Sequence, residues 1–437
     1  MLAMSATGGI AAGVPRPTVD PLPVSASPVG PAEPTEQRTN CAVAIDSAAT
    51  EAAATEAPLG HRLLGVEDAH RFSTGAGVKV AVIDTGVNPH PRLRGVIPGG
   101  DYVGGGDGLT DCDAHGTLVA GIIAGQRSAD DAFVGVAPDA TVIAIRQSSG
   151  AYSVKGRGRD GAVVGVGYGP IETLARAVVR AVDLGADVIN ISEVACTTAG
   201  DRPADAMLGA ALAHARARDA VVVAAAGNIA DTTACREQNP SGWASPEQAW
   251  AQIRTSVTPA RFAPLVLTVG AVDGTGTPAA FSLRGPWVGV AAPGTDIVSL
   301  APGAGRARLV GALRTADGAA ALAGTSYAAP YVAGLAALIR SRYPQLSAAE
   351  VSAHITRTAH GGGDDAAVGG GVIDLVAALS TAPESSADAD AAHRDGTHAF
   401  AVPADRQVPD SGVGAVIGGS ALAGTALIGV CLVRRRR

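Results

Sequence analysis

An aspartate, a histidine and a serine, each in a distinctive local setting, could together cleave an acyl bond in this 437-residue chain. A serine hydroxyl is a weak nucleophile until an imidazole takes its proton, and the imidazole needs a carboxylate to hold its tautomer and stabilise its charged form. Asp84 ends the β-rich run from Val78 and is followed by Thr85 and Gly86. Reactive groups in open parallel sheets collect beyond the carboxyl ends of strands, although a strand ending in aspartate is by itself common. His115 lies in Asp113-Ala-His-Gly-Thr117, at the head of a stretch of small and apolar residues, with Gly116 leaving room for close approach. Ser326 lies in Gly324-Thr-Ser-Tyr-Ala-Ala-Pro330 and heads a second such stretch, where free N–H groups and the helix dipole would face a developing oxyanion. Taken singly, these are a strand end, a surface imidazole and a helix N-cap. Taken together they run in the order Asp, His, Ser, which is neither the chymotrypsin nor the α/β-hydrolase order, and no G-x-S-x-G elbow surrounds Ser326. Asn228 closes the apolar run from Val221 and adds an amide that could donate to the oxyanion; elsewhere Gly-Asn would read as a turn.

Holding these groups in register takes a scaffold of strands and helices. From His61 to Leu379, short apolar runs alternate with helical stretches, the pattern of a largely parallel sheet covered by helices on both faces. Strands are expected at Val78–Ile83, Thr141–Arg146, Val188–Ile191, Val221–Ala225, Leu265–Val269 and Val288–Ala291. Helices are expected at Ile171–Leu184, Ala204–Arg218 and Ser326–Arg342, with a further one from Ala348 that carries a capping box, Ser347 with Glu350 three residues on. The Gly-rich stretch Gly150–Pro170 and the segment Pro302–Leu322 read as mobile loops.

The ends differ from the middle. Residues 1–57 are dominated by Ala, Pro, Thr, Ser and Glu without sustained periodicity and read as an extended N-terminal arm before a peptidase domain over 58–380. No Lys or Arg precedes Ile10 and no apolar h-region follows Met1, so an export cue is not visible there. Residues 381–412 read as a linker rich in Ala, Asp and Ser. Residues 413–433 carry no charge and are followed by four arginines, 434–437, which predicts a transmembrane helix with a cytoplasmic basic tail and everything before it outside.

A formal net charge of −7 argues against a nucleic-acid-binding surface, which needs concentrated basic charge. Cys41, Cys112, Cys196 and Cys235 form an even set outside the apolar span, compatible with two disulfides or with four free thiols, while Cys431 lies inside the span. The chemistry requires no metal or organic cofactor, and no ligand-dense loop marks a calcium site.

The motifs Asp84-Thr-Gly, His115-Gly-Thr, Ala226-Gly-Asn228 and Gly324-Thr-Ser326-Tyr-Ala-Ala-Pro resemble those of the subtilase family of serine proteases, in the same order. The resemblance implies a subtilisin-like doubly wound α/β fold, Asp84, His115 and Ser326 as the triad, Asn228 as oxyanion donor, and a protein or peptide substrate. Tyr327 departs from it, since many subtilases have Met beside the nucleophile. Within the family the chain is similar to the mycosins, membrane-anchored proteases of type VII secretion. That similarity rests on Gly108-Leu-Thr-Asp-Cys112, Val134-Gly-Val-Ala-Pro-Asp139, Ile145-Arg-Gln-Ser-Ser149 and Val188-Ile-Asn-Ile-Ser-Glu-Val-Ala-Cys196, with the anchor and its arginines. It implies a type VII secretion membrane complex as partner and an N-terminal extension wrapped on the catalytic domain. It also implies the pairs Cys41–Cys112 and Cys196–Cys235, with Cys431 unpaired. In subtilases the peptide adds as a strand beside the segment matching Ile191-Ser192-Glu193, which makes Ser192 and Glu193 candidate substrate-binding residues. Glu193 stands where Leu is more usual. Two other readings compete: a complex-stabilising structural subunit in which cleavage is secondary, and a lipase or esterase, which the residue order disfavours.

Overall fold

The computed structural model describes residues 16–19, 28–45, 47–156, 167–199, 201, 204–230, 234–303, 308–315, 318–362 and 365–383. The expected linker beyond residue 383, the expected span 413–433 with Cys431 and the basic tail lie outside the described residues. Among those described, no helix is long and apolar enough to cross a membrane.

Strands that carry branched apolar residues on both faces can be satisfied only inside a sheet covered on both sides. Seven strands form the central sheet, all but the second of this kind: β1 (Lys79–Asp84), β2 (Ile97–Asp101), β3 (Thr141–Arg146), β4 (Val188–Ile191), β5 (Val221–Ala225), β6 (Leu267–Val272) and β7 (Val288–Pro293). Their spatial order is β7-β6-β5-β4-β1-β3-β2, and every pairing is parallel. Side chains alternate as strand geometry demands. Val80 and Val82 of β1 enter one core while Ala81 and Ile83 enter the other.

The first face packs against α1 (His115–Ala124) and α4 (Thr325–Arg342), the second against α2 (Ile171–Asp183) and α3 (Ala206–Ala217). Helix α4 is buried almost throughout, which its run of Ala, Gly and Val permits by keeping its girth small. Pro330 lies inside it and lacks the N–H that would have bonded the Ser326 carbonyl. Helix α5 (Ala348–Thr358) starts as its sequence predicts: Ser347 Oγ accepts from Glu350 N at 3.3 Å, and Glu350 Oε2 accepts from Ser347 N at 2.8 Å.

Strand β2 escaped the sequence reading. Of its residues Ile-Pro-Gly-Gly-Asp only Ile97 is a β-former, and the chain can use them only at a sheet edge with a register shift between Pro98 and Gly100. The N-terminal arm is more structured than an extended strap. Thr35–Gln37 pairs antiparallel with Tyr152–Val154, Val43–Ile45 pairs with the Ala312–Thr315 strand, and a short helix, Ala48–Ala52, follows. Both expected loops therefore contain strand. The second also carries a hairpin, Ala312–Thr315 with Gly318–Ala321.

Disulfides Cys41–Cys112 and Cys196–Cys235 close loops with sequence separations of 71 and 39. Chain-entropy arguments give each about 4 kcal/mol. The first ties the arm to the segment just before His115.

Two buried polar groups hold elements around the sheet. The Arg92 guanidinium donates from Nε to the Gln126 carbonyl at 2.7 Å, from Nη2 to the Phe133 carbonyl at 2.6 Å, and from Nη1 to Asp131 Oδ2 at 2.7 Å. One side-chain cation thus gathers three oxygens from the segment after α1. His61 meets the Tyr331 hydroxyl of α4 at 3.2 Å, and burial lowers its pKa to about 4 against the weaker opposing effect of the Val134 backbone.

Replacing Arg92 by Met should cost about 3–5 kcal/mol in denaturant unfolding, because Asp131 is left buried without its cation. For His61 the sign follows from its lowered native pKa. The unfolded chain binds the extra proton between pH 6.5 and about 4, so this contribution is present above pH 6.5 and lost as pH falls. The loss should reach about 3 kcal/mol in the unfolding free energy at pH 4, and it should shrink in His61→Gln.

Candidate active site

The sheet order reverses beside β1, with β4 on one side and β3 on the other, and a crevice opens at the strands' carboxyl ends. Asp84 ends β1 and is fully buried. A buried carboxylate must be hydrogen-bonded, and Asp84 Oδ1 accepts from Thr85 N at 2.8 Å, with Thr85 Oγ1 lying 3.3 Å away. It also meets His115 Nδ1 at 2.7 Å.

His115 is the first residue of α1, preceded by Ala114 with a left-handed φ of 68°. The helix comes this close to β1 only because the next residue is glycine. A Cβ on Gly116 would lie 2.0 Å from the Gly86 carbonyl oxygen. On the far side of the imidazole, Nε2 stands 3.0 Å from Ser326 Oγ. In the neutral tautomer that donates Nδ1–H to Asp84, Nε2 accepts the serine O–H.

Ser326 is partly buried in the first turn of α4, where backbone N–H groups have no intrahelical acceptor. The Asn228 amide is oriented from this same turn: its Oδ1 accepts from Thr325 N at 2.9 Å and from Thr325 Oγ1 at 3.0 Å. Thr325 Oγ1 in turn accepts from Gly227 N at 3.1 Å. With Oδ1 so occupied, Nδ2 is left to donate elsewhere. Gly324, at φ 155°, leaves a space where a Cβ would lie 3.0 Å from Ser326 Oγ and 3.2 Å from Asn228 Nδ2. The serine oxygen and the amide therefore border one small void.

The loop before α1 is anchored by a second buried carboxylate. Asp111 accepts from Thr85 Oγ1 at 2.8 Å, from Thr117 N at 2.8 Å, from Thr117 Oγ1 at 2.6 Å and from Asp113 N at 3.2 Å. Burial pushes its pKa up to about 7, more than these donors lower it. The His115 pKa moves to about 9: burial lowers it, but the charge and hydrogen bond of Asp84, then Glu193 and Asp111, more than compensate. The Tyr327 ring packs on the imidazole with centroids 4.9 Å apart, and burial, with Asp84 and Glu193 nearby, raises its own pKa far above the ordinary tyrosine value.

Asp84, His115, Ser326, Asn228 and Glu193 fall around this crevice, and Ser192 adjoins it beside Glu193. Ser192 is buried, and its hydroxyl accepts from Asn190 Nδ2 at 2.8 Å. Glu193 Oε1 lies 3.8 Å from His115 Nδ1. Sequence reasoning passed over Thr85, Asp111 and Thr325, although the two threonines stand inside the motifs it used. Their task is to orient neighbours, which residue type alone does not announce.

This fold and this arrangement define a class. The subtilase family profile matches residues 75–380, and the chain belongs to the subtilase family of serine proteases. Within that family, Mycosin-1 of Mycobacterium tuberculosis is 47% identical over 382 residues, covering 86% of this chain and 84% of the relative. The crystal structure of MycP1 from Mycobacterium smegmatis aligns with TM-score 0.77 and 42% identity, over 85% of this chain and 96% of that one. A chain of the intact ESX-5 inner membrane complex aligns with TM-score 0.75 and 38% identity, over 94% of each.

Thr325→Val removes the hydroxyl that bridges Gly227 and Asn228 while leaving Ser326 beside His115. Peptidase assays should show kcat reduced about tenfold with KM nearly unchanged, a partial loss beside that from deleting an oxyanion donor.

Proposed function

We propose that the chain is a serine endopeptidase of type VII secretion that works at the outer side of the cytoplasmic membrane through Asp84, His115 and Ser326. The observation that carries this reading is the continuous relay from Asp84 Oδ1 through His115 to Ser326 Oγ, at 2.7 and 3.0 Å. Ser326 Oγ attacks the peptide carbonyl carbon as His115 Nε2 takes its proton, and Asp84 holds the resulting imidazolium. The oxyanion receives N–H bonds from Asn228 Nδ2 and the Ser326 backbone. His115 returns the proton to the leaving amine, and water repeats the sequence on the acyl-enzyme. The peptide lies along the backbone of Ser192 and Glu193 as an added strand.

The membrane part of the reading rests on the uncharged stretch 413–433 and the arginines after it. The secretion part rests on the mycosin relatives and on the ESX-5 inner membrane complex. The N-terminal arm stays on the catalytic domain, tied by Cys41–Cys112. A second reading, a subunit that stabilises a secretion complex, draws on the same ESX-5 likeness, which spans 94% of this chain.

The test is reaction of the purified chain with a fluorophosphonate probe. Native protein should label, Ser326→Ala and His115→Ala should not, and Asn228→Ala should lose about 10²–10³ in peptide turnover, as loss of such a donor does in subtilisin. Absence of labelling in well-folded native protein would favour the structural reading. Co-purification of Ser326→Ala with a membrane complex would then support it directly.

A further inference from the structure

The triad imidazole faces two carboxylates, and the second has no place in the relay just described. Ile191 at the end of β4 pairs with Ile83 of β1, so the chain leaving β4 runs past Asp84, and Glu193 arrives beside the same ring edge. Its Oε1 stands 3.8 Å from His115 Nδ1, where Asp84 Oδ1 stands 2.7 Å away. The Glu193 side chain is 16% exposed, too enclosed for water to screen its charge fully.

We propose that Glu193 is a positioning residue that sets the base strength of His115, holding the imidazole in its charged form to higher pH than Asp84 alone would. The inference rests on the serine protease reading of this site and adds a role to a residue expected either to favour a basic substrate side chain or to point at solvent.

The charged surroundings support it. The groups acting on Glu193 are His115 and Asp84 of the relay, with Asp113 and Asp111 from the loop before α1. Tyr327 of α4 stays neutral against the imidazole. Among the described residues, no lysine or arginine lies within ion-pair distance of Glu193, so His115 is the cation its charge acts upon. Burial raises the Glu193 pKa to about 7, opposed by His115 and reinforced by Asp84. The carboxylate is therefore ionised where His115, near 9, gives up its proton. A general base must be neutral to accept the serine proton. An added negative charge at this distance moves an imidazole pKa upward, typically by about 1–3 units.

The full-length protein and its Glu193→Gln and Glu193→Asp variants provide the test. Two quantities would be followed against pH: the second-order rate of fluorophosphonate labelling, and the His115 titration from its low-field Nδ1–H resonance. In Glu193→Gln the acid limb of labelling and the imidazole titration should both fall by about 1–3 pH units. Labelling at pH 8, where Glu193 is ionised and His115 still holds its proton, should rise at least several-fold. Glu193→Asp keeps the charge and should keep its limb nearer the native one. A limb and titration unchanged within a few tenths of a unit in Glu193→Gln would overturn the proposal, as would equal shifts in both variants. Native protein that never labels would instead remove the protease reading, and the Nδ1–H titration would still decide the role of Glu193.

Discussion

The buried charge of Asp84 is the constraint around which this molecule is organised. A carboxylate at the inner end of a parallel strand has lost its water and must recover the solvation from fixed groups. Thr85 N supplies one donor and His115 another, with the Thr85 hydroxyl, whose proton goes to Asp111, 3.3 Å away. Supplying the second donor fixes the approach of a whole helix, because His115 is the first residue of α1 and can reach Asp84 only where Gly116 lets the helix close on the Gly86 carbonyl. Asp111 repeats the logic one layer away: its four donors come from Thr85, Thr117 and Asp113, so the strand end, the helix start and the loop between them form one hydrogen-bonded unit. The Cys41–Cys112 bridge joins that unit to the N-terminal arm at the residue next to Asp111.

The other half of the site belongs to α4, and its requirements differ. Ser326 must sit where backbone N–H groups point outward, which is the first turn of a helix, and that helix must lie deep in the protein to reach His115. Small residues make the depth possible. Pro330 releases the Ser326 carbonyl from the helical ladder and fixes φ one turn in. Thr325 then joins this turn to the end of β5, since it bonds both Gly227 and Asn228. The nucleophile and the amide beside it are held by one threonine, so neither can drift without the other.

Electrostatics in the crevice favour the charged imidazole strongly. Burial opposes it, but Asp84 contributes most in its favour, and Glu193 and Asp111 add to that. This stabilises the imidazolium that proton transfer creates, but each added carboxylate also makes the resting base harder to deprotonate. The site balances these two demands through how many negative groups it packs against one ring.

Asp84, His115 and Ser326 were legible in the sequence because each sits in a short motif whose neighbours serve local needs: a glycine for close approach, small residues for a buried helix, an apolar strand before a carboxylate. All six expected strands and the helix from Ala348 were legible for the same local reason, since a strand covered on both faces must be apolar and a capped helix needs its cap. Strand β2 was not, because Pro98, Gly99 and Gly100 have no strand preference and take that form only where β3 offers an edge. The structured arm was not, because its strands exist only through partners more than a hundred residues away. Ser192 and Glu193 were expected as candidate substrate-binding residues, yet only the register of β4 on β1 decides that Ser192 turns inward and Glu193 lies against the imidazole. Local chemistry is written in consecutive residues, whereas the charge that a side chain feels is set by groups that folding brings within a few ångströms of it.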